Sequence, residues 1–185
     1  MNIILSLLLL NYFFVIKTYS CSDPCICQQY KIQRFRSKIR GYYQNVLQEQ
    51  KGALLLNRYQ ISFPGNQFNR SPLRSEVYLV DGSKGYTTQM IGVYMIIDLL
   101  QTYEINTIIF WVYDRDSYLR TFDLKIYILG LGGSKELIYE NTAATSIVKV
   151  KFSNSFVKQI LFYNNNGSSL NVYLHILNLQ AYFEL

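Results

Sequence analysis

The stretch Asp81-Gly82-Ser83-Lys84-Gly85-Tyr86-Thr87-Thr88-Gln89-Met90-Ile91-Gly92 is followed by Phe110-Trp111-Val112-Tyr113-Asp114-Arg115-Asp116 and then Arg120. An ordinary strand has no use for that density of turn residues, alternating charges and aromatics. Around it, short β-branched and aromatic segments recur to the C-terminus, at 77–80, 93–99, 107–113, 123–129, 136–139, 146–152, 158–163 and 171–183. Pleat alternation is clearest where Val148, Val150 and Phe152 oppose Lys149 and Lys151, giving one apolar and one charged face. Turn signals separate the segments at 130–133, rich in Gly, and at 164–169. Short strands without helical intervals predict an all-β, jelly-roll-like sandwich rather than an α/β fold. Function is then expected on the loops, not in the core.

The composition agrees. Half of the 185 residues are apolar and only 16% are charged, which argues for a packed core and against disorder. Tyr (17) and Phe (11) are abundant, and aromatics suit a half-buried pleated surface. The length allows one domain and an N-terminal extension. Charge is unevenly placed: residues 21–80 carry nine Lys/Arg against three acids, and residues 81–185 carry eight against nine. The basic character therefore belongs to the extension, and the β region is near neutral.

Residues 3–16 are almost wholly apolar and end at Lys17, short of the roughly 20 residues needed to span a bilayer. Thr18-Tyr19-Ser20 then places small residues before Cys21, so 1–20 reads as a secretory signal peptide. The n-region lacks Lys and Arg, which leaves an uncleaved anchor as the competing reading. Export makes nucleic acid an unsuitable partner for the basic charge. It also makes a disulfide the expected state of Cys21, Cys25 and Cys27. A Cys25–Cys27 ring would be very tight, so Cys21 with either of the others is favoured, and the third thiol could link two chains. Zinc would need a fourth ligand, and the single His, His175, lies far along the chain. Over 28–50, Ile32, Phe35, Ile39, Tyr42/Tyr43 and Val46/Leu47 repeat at helical spacing among basic residues. That segment either packs on the domain, as a helix or a strand pair with a solvated basic face, or lies as a basic amphipathic helix on a membrane surface.

Four stretches together are similar to the discoidin, or coagulation-factor F5/8 type C, family of the galactose-binding-like superfamily. They are Val80-Asp81-Gly82 with Gly85-Tyr86-Thr87-x-Gln89-x-Ile91-Gly92; Ile96-Ile97-Asp98-Leu99-x-Gln101-x-Tyr103-x-Ile105; Asp114-x-Asp116 with Arg120-x-Phe122; and Asn171-Val172-Tyr173-Leu174-His175-Ile176. The variant of the module attached to some BTB/POZ proteins is the nearest in pattern. The sequence departs from the family at Leu100, where a Gly is usual, at the early Trp111, and in having no Cys near Leu185. With 1–20 read as signal peptide and 21–51 as a Cys-containing basic extension, the resemblance implies 52–185 as a discoidin-like sandwich. It further implies a module whose end loops bind glycans, anionic phospholipid or protein. Some relatives hold a structural calcium near the Asp-Gly loop, and Asp81 is the matching position here; a lone Asp-Gly is also a common turn.

Sugar recognition needs a flat aromatic for the ring and polar groups for the hydroxyls. Tyr86, Gln89, Tyr113, Asn164 and Asn165 supply those types in the expected loops 82–92, 113–120 and 163–171. Arg115 and Arg120 either pin a loop through Asp114 and Asp116 or point outward to hydroxyls or a phosphate. Arginines beside those carboxylates would depress a carboxylic acid's pKa, which counts against a glycosidase. No Gly-x-Ser-x-Gly elbow, P-loop or His-Glu-x-x-His is present. His175 on a strand reads more readily as a hydrogen-bonded core residue than as a ligand. Asn69 and Asn166 open glycosylation sequons. The sequence therefore leads to a secreted, non-enzymatic module for carbohydrate or cell-surface glycoconjugate, with membrane or protein adhesion as the alternative.

Overall fold

A computed structural model describes residues 24–41, 44–62, 72–73, 85–114 and 118–185. The chain divides into two units, Met1–Phe35 and Arg36–Leu185. Helix α1 (Pro24–Ile39) begins in the first. The second contains a 3-10 turn at Glu49–Lys51 and eight strands: β1 (Leu54–Asn57), β2 (Gln60–Ser62), β3 (Tyr86–Met90), β4 (Tyr94–Val112), β5 (Phe122–Leu129), β6 (Lys135–Ala144), β7 (Ile147–Ser168) and β8 (Tyr173–Tyr182). Among the described residues no helix is long and apolar enough to cross a membrane.

The strands pair antiparallel in the order β2-β3-β8-β4-β7-β5-β6, with β1 added on β4. This is the all-β jelly-roll sandwich that the alternation predicted. It closes because β4 and β7 are long enough to serve both layers. In β4, Met95, Ile97, Leu99, Tyr103 and Ile105 point inward, and after a register shift between Ile105 and Thr107 the inward set becomes Ile108, Phe110 and Val112. At that shift Asn106 stands against residues 152–154 of β7, and the break in register changes which alternate residues of β4 are buried. The segments expected at 93–99 and 107–113 are thus one strand, and so are those at 146–152 and 158–163. The polar middle of β7, Ser153-Asn154-Ser155, lies within the strand but at a break in its pairing: Ser155 is opposite Ile105, and the next pair is Lys151 with Thr107.

Three further expectations are corrected. Tyr86–Met90, read as part of a loop, is strand β3, paired with β8 from Thr87↔Ile176 to Met90↔Tyr173. Strands β1 and β2 lie where none was expected. The helix expected over 28–50 stops at Ile39, and the Arg40 N–H still donates to the Arg36 carbonyl (2.9 Å). Gly41 follows at φ +58°, and a Cβ there would lie 2.6 Å from Val46 Cγ1. The chain turns where only glycine fits. The segment expected at 77–80 lies outside the described residues.

After the turn, residues 45–49 seal the free edge of β8. The Val46 N–H donates to the Ala181 carbonyl (3.0 Å), and Asn45 Oδ1 accepts from the N–H groups of Leu47 (3.0 Å) and Ala181 (2.9 Å). The Leu179 N–H donates to the Pro72 carbonyl and the Glu49 N–H to that of Leu73. The core between the layers is closely packed, with Phe110 edge-on to Phe162 at 5.4 Å and to Tyr139 at 5.8 Å. Arg40 forms a two-point pair with Glu104, Nε to Oε2 at 2.6 Å and a terminal nitrogen to Oε1 at 3.1 Å, and its guanidinium lies 3.7 Å from the Phe183 ring centre. Asn106, at the β4 bulge, receives the Glu184 N–H on Oδ1 (2.8 Å) and donates Nδ2 to its carbonyl (2.7 Å). Lys149 and Lys151 both reach the Glu184 carboxylate.

Two measurements follow from these pins. Glu104→Gln should lower stability by about 2 kcal/mol in urea unfolding, because the part-buried guanidinium loses its charged partner; an unchanged midpoint would refute the role. Hydrogen bonds from Lys149, then Lys151, hold the Glu184 carboxyl below the usual carboxylate range. Its small stabilising contribution is present above the unfolded pKa and disappears as pH falls through the lowered folded value. In an NMR titration Lys149→Gln should move the Glu184 midpoint up, and a midpoint that stays put would contradict the assignment.

Candidate functional site

At one end of the sandwich, where β3 begins and β4 stops, four side chains converge from β3, β8 and the β4–β5 connection. The Val112 N–H donates to the Ser146 carbonyl (2.9 Å) and the Tyr113 N–H to the His175 carbonyl (3.1 Å), so β4 is held extended just past its last paired residue. Tyr86, the first residue of β3, lies 5.0 Å from His175 and 5.2 Å from Tyr113, both edge-on. Arg120, arriving from the β4–β5 connection, places its guanidinium carbon 5.0 Å from the Tyr113 ring centre, and a terminal nitrogen sits 3.4 Å from His175 Nδ1. A guanidinium only donates, so Nδ1 accepts and the ring proton sits on Nε2. Phe122 closes the floor at 6.0 Å from His175. The aromatic run continues along β8 through Tyr173 to Tyr59, stacked at 5.4 Å with 21° between planes.

Chemically this is a set of ring faces and edges backed by nitrogen donors. Arg120 and His175 are buried and Tyr86 and Tyr113 half-buried, so the tyrosines present the surface and the two nitrogen-bearing groups fix it from behind. Beside them Ser146, at φ 48°, donates Oγ to Asp114 Oδ2 (2.7 Å). Asp114 Oδ1 is buried with no hydrogen-bond partner among the described residues.

Three of the residues expected to bind ligand, Tyr86, Tyr113 and Arg120, come together here. His175, weighed as a core residue, is buried as expected and also belongs to the cluster. Gln89 and Asn164 are corrected: both were expected on binding loops and both are buried. Gln89 locks its own hairpin, donating Nε2 to the Tyr94 carbonyl (2.8 Å) and accepting the Met90 N–H on Oε1 (3.0 Å). Asn164 is a latch. Its Nδ2 donates to the carbonyls of Gln89 (2.8 Å) and Val172 (2.9 Å), its Oδ1 accepts from Gly167, and its backbone pairs with Gly92 and Val93. Asn165 sits on β7 with Nδ2 at 2.9 Å from both Asp123 oxygens, not in a loop. Asn166 is exposed on the same strand. Asp81, Arg115, Asp116, Cys21 and Asn69 lie outside the described residues, as do the side chains of Cys25 and Cys27.

A second feature of this end was missed by sequence reasoning. The β3–β4 hairpin carries exposed Met90, Ile91 and Val93, and the β7–β8 turn carries exposed Leu170 and Val172. Asn164 ties the two together. Ser169 joins the β4–β5 connection through Thr121, and that connection exposes Tyr118 at 73% and Leu119 at 77%. The signal was present as apolar residues flanking Gly92, where a hairpin tip ordinarily takes polar ones.

No sequence-family model and no curated protein matches this chain. Solved structures do resemble it in shape. The family 32 carbohydrate-binding module of Streptococcus pneumoniae EndoD matches with a TM-score of 0.52 and 14% identity, over 76% of this chain and 99% of that one. The family 32 module of C. perfringens NanJ, solved in complex with galactose, matches with a TM-score of 0.51 and 12% identity, over 75% and 98%. CBM32-1 from a family 31 glycoside hydrolase of Clostridium perfringens gives 0.50 and 16%, over 76% and 99%. At such identities the likeness is one of fold: the chain is built on the jelly-roll β-sandwich that these modules use.

Proposed function

We propose that this chain is a secreted, non-enzymatic carbohydrate-binding module of discoidin, F5/8 type C, character. Tyr86 and Tyr113 would meet a sugar ring at the end of the sandwich. The observation that carries the reading is the convergence of Tyr86, Tyr113, Arg120 and His175 from strands β3 and β8 and the β4–β5 connection. An aromatic pair covers the C–H face of a pyranose, and Tyr hydroxyls and nitrogen donors suit its hydroxyls. Arg120 and His175 act as positioning residues that hold the Tyr113 ring. The resemblance of the fold to galactose-binding and other carbohydrate-binding modules supports the same class of ligand. In this reading residues 1–20 are a signal peptide, Cys21 pairs with Cys25 or Cys27, the spare thiol can join two chains, and Asn69 and Asn166 carry glycans. Calcium near Asp81 is part of the proposal as a structural ion.

The test is calorimetry of the full chain with galactose and galactose-terminated oligosaccharides, with calcium and with chelator. Binding is expected, and Tyr113→Ala should weaken it about tenfold, the equivalent of about 1.4 kcal/mol, with circular dichroism unchanged. Absence of binding to any sugar on a broad glycan array would remove the lectin reading.

One observation favours a second reading, adhesion to an anionic phospholipid surface. Leu119, Tyr118, Leu170, Ile91 and their neighbours form an apolar rim at the same end. Full burial of one such side chain is worth about 1.5–3 kcal/mol. Here the full chain should co-sediment with phosphatidylserine vesicles, and Ile91→Ser with Leu119→Ser should release it. Equal recovery of the variant and the parent chain with vesicles would set this reading aside.

A further inference from the structure

The layer formed by β1, the first half of β4, the second half of β7, β5 and β6 has an outward face that the end site does not use. Register places its side chains in rows across the strands. Tyr94 lies opposite Tyr163, which lies opposite Lys125, and Lys125 opposite Glu140. In the next row Ile96 faces Leu161, Leu161 faces Tyr127, and Tyr127 faces Leu137. The alternate residues Met95, Ile97, Ile160, Phe162, Leu124 and Ile126 fill the core, so these rows point outward. Three phenol rings therefore gather on adjoining strands, Tyr94 at 4.8 Å from Tyr163 and 6.0 Å from Tyr127.

The charges around this patch are mostly matched. Lys125 pairs with Glu140, Lys158 with Asp98, and Asp123 is held by Asn165. Lys135 differs. It follows the glycine-rich β5–β6 turn, its Nζ donates to the Tyr94 hydroxyl (3.1 Å), and it lies 4.6 Å and 5.1 Å from the ring centres of Tyr127 and Tyr94. Among the described residues it has no carboxylate partner. An exposed ammonium resting on ring faces is weakly held and readily displaced. A patch of this kind, apolar and aromatic with a polar rim, marks a contact surface.

We propose that this face is a second binding surface, separate from the end cluster, for an extended acidic glycan. The pyranose C–H faces would lie on Tyr94, Tyr127 and Tyr163, and a ring carboxylate or sulfate would take Lys135 off the rings and pair with it. Lys135, without a carboxylate partner among the described residues, selects an anionic sugar over a neutral one, and the matched pairs on the rim make the surface a poor site for a strongly charged protein. The proposal does not rest on the end cluster binding sugar.

The full chain is titrated calorimetrically with oligogalacturonate, with a sulfated heparin-derived hexasaccharide and with neutral cellohexaose; the first two separate carboxylate from sulfate. Either acidic oligosaccharide should bind more tightly than the neutral one. Lys135→Gln should weaken acidic binding about threefold and flatten its salt dependence, as loss of one exposed ion pair does. Tyr127→Ala should weaken it about tenfold, and Tyr113→Ala at the end cluster should leave it unchanged. Lys135 is at the surface, so that variant tests the idea even where Tyr127→Ala unfolds. No binding of either acidic oligosaccharide, or binding indifferent to Lys135→Gln and Tyr127→Ala, overturns the proposal. So does a shift in sedimentation of the free face variants, which would make a second copy of the chain the occupant.

Discussion

The architecture depends on one backbone event, the register shift in β4 between Ile105 and Thr107. A strand that belongs to two layers must reverse the parity of its buried side chains as it passes from one to the other. The break does this by setting Asn106 of β4 against three residues of β7, 152–154, and beyond it the inward residues of β4 are Ile108, Phe110 and Val112. The bulged position also has work at the surface. Asn106 turns its amide toward the backbone of Glu184 and gives the last residues a two-point hold that a regular strand position could not supply. The long partner β7 runs beside β4 through both layers, and the remaining strands attach to whichever half they can reach.

The fold was legible because the core side of each strand is written in period two. Val148/Val150 and the inward runs of β4 and β5 leave little choice of face. The strand bounds were less legible, since β7 runs unbroken through Ser153, Asn154 and Ser155, where its pairing with β4 shifts register and no apolar alternation marks it. Strand β3 was hidden for a related reason. Thr87, Thr88 and Gln89 are buried polar residues, so no apolar alternation marks the strand. The helix overshot because Val46 and Leu47 keep its spacing although Gly41 has already turned the chain; their burial comes from packing after the turn, not from a helical face.

The candidate site was half legible. Tyr86, Tyr113 and Arg120 were singled out by residue type, and that they come together depends on the β8 pairing that brings His175 beneath them. Gln89 and Asn164 show the limit of residue type as a guide. A primary amide that grips a sugar hydroxyl and one that grips a backbone carbonyl look the same in a sequence. Burial separates them, and burial is a property of the assembled layers. The outward tyrosines of β4, β5 and β7 were invisible for the opposite reason. Each alone is an ordinary half-exposed strand residue, and only cross-strand register sets them side by side.

The Asn164 amide divides labour between shape and surface. Its bonds to Gln89, Val172 and Gly167 all reach backbone atoms, and the Asn164 backbone itself pairs with Gly92 and Val93, so the apolar side chains at the tips make none of these bonds. Met90, Ile91, Leu170 and Val172 are accordingly replaceable without disturbing the frame on which they stand. Under selection such a rim can exchange greasy tips for charged or sugar-friendly ones in a few steps, making this end of the sandwich a natural place for new recognition to arise on an unchanged chassis.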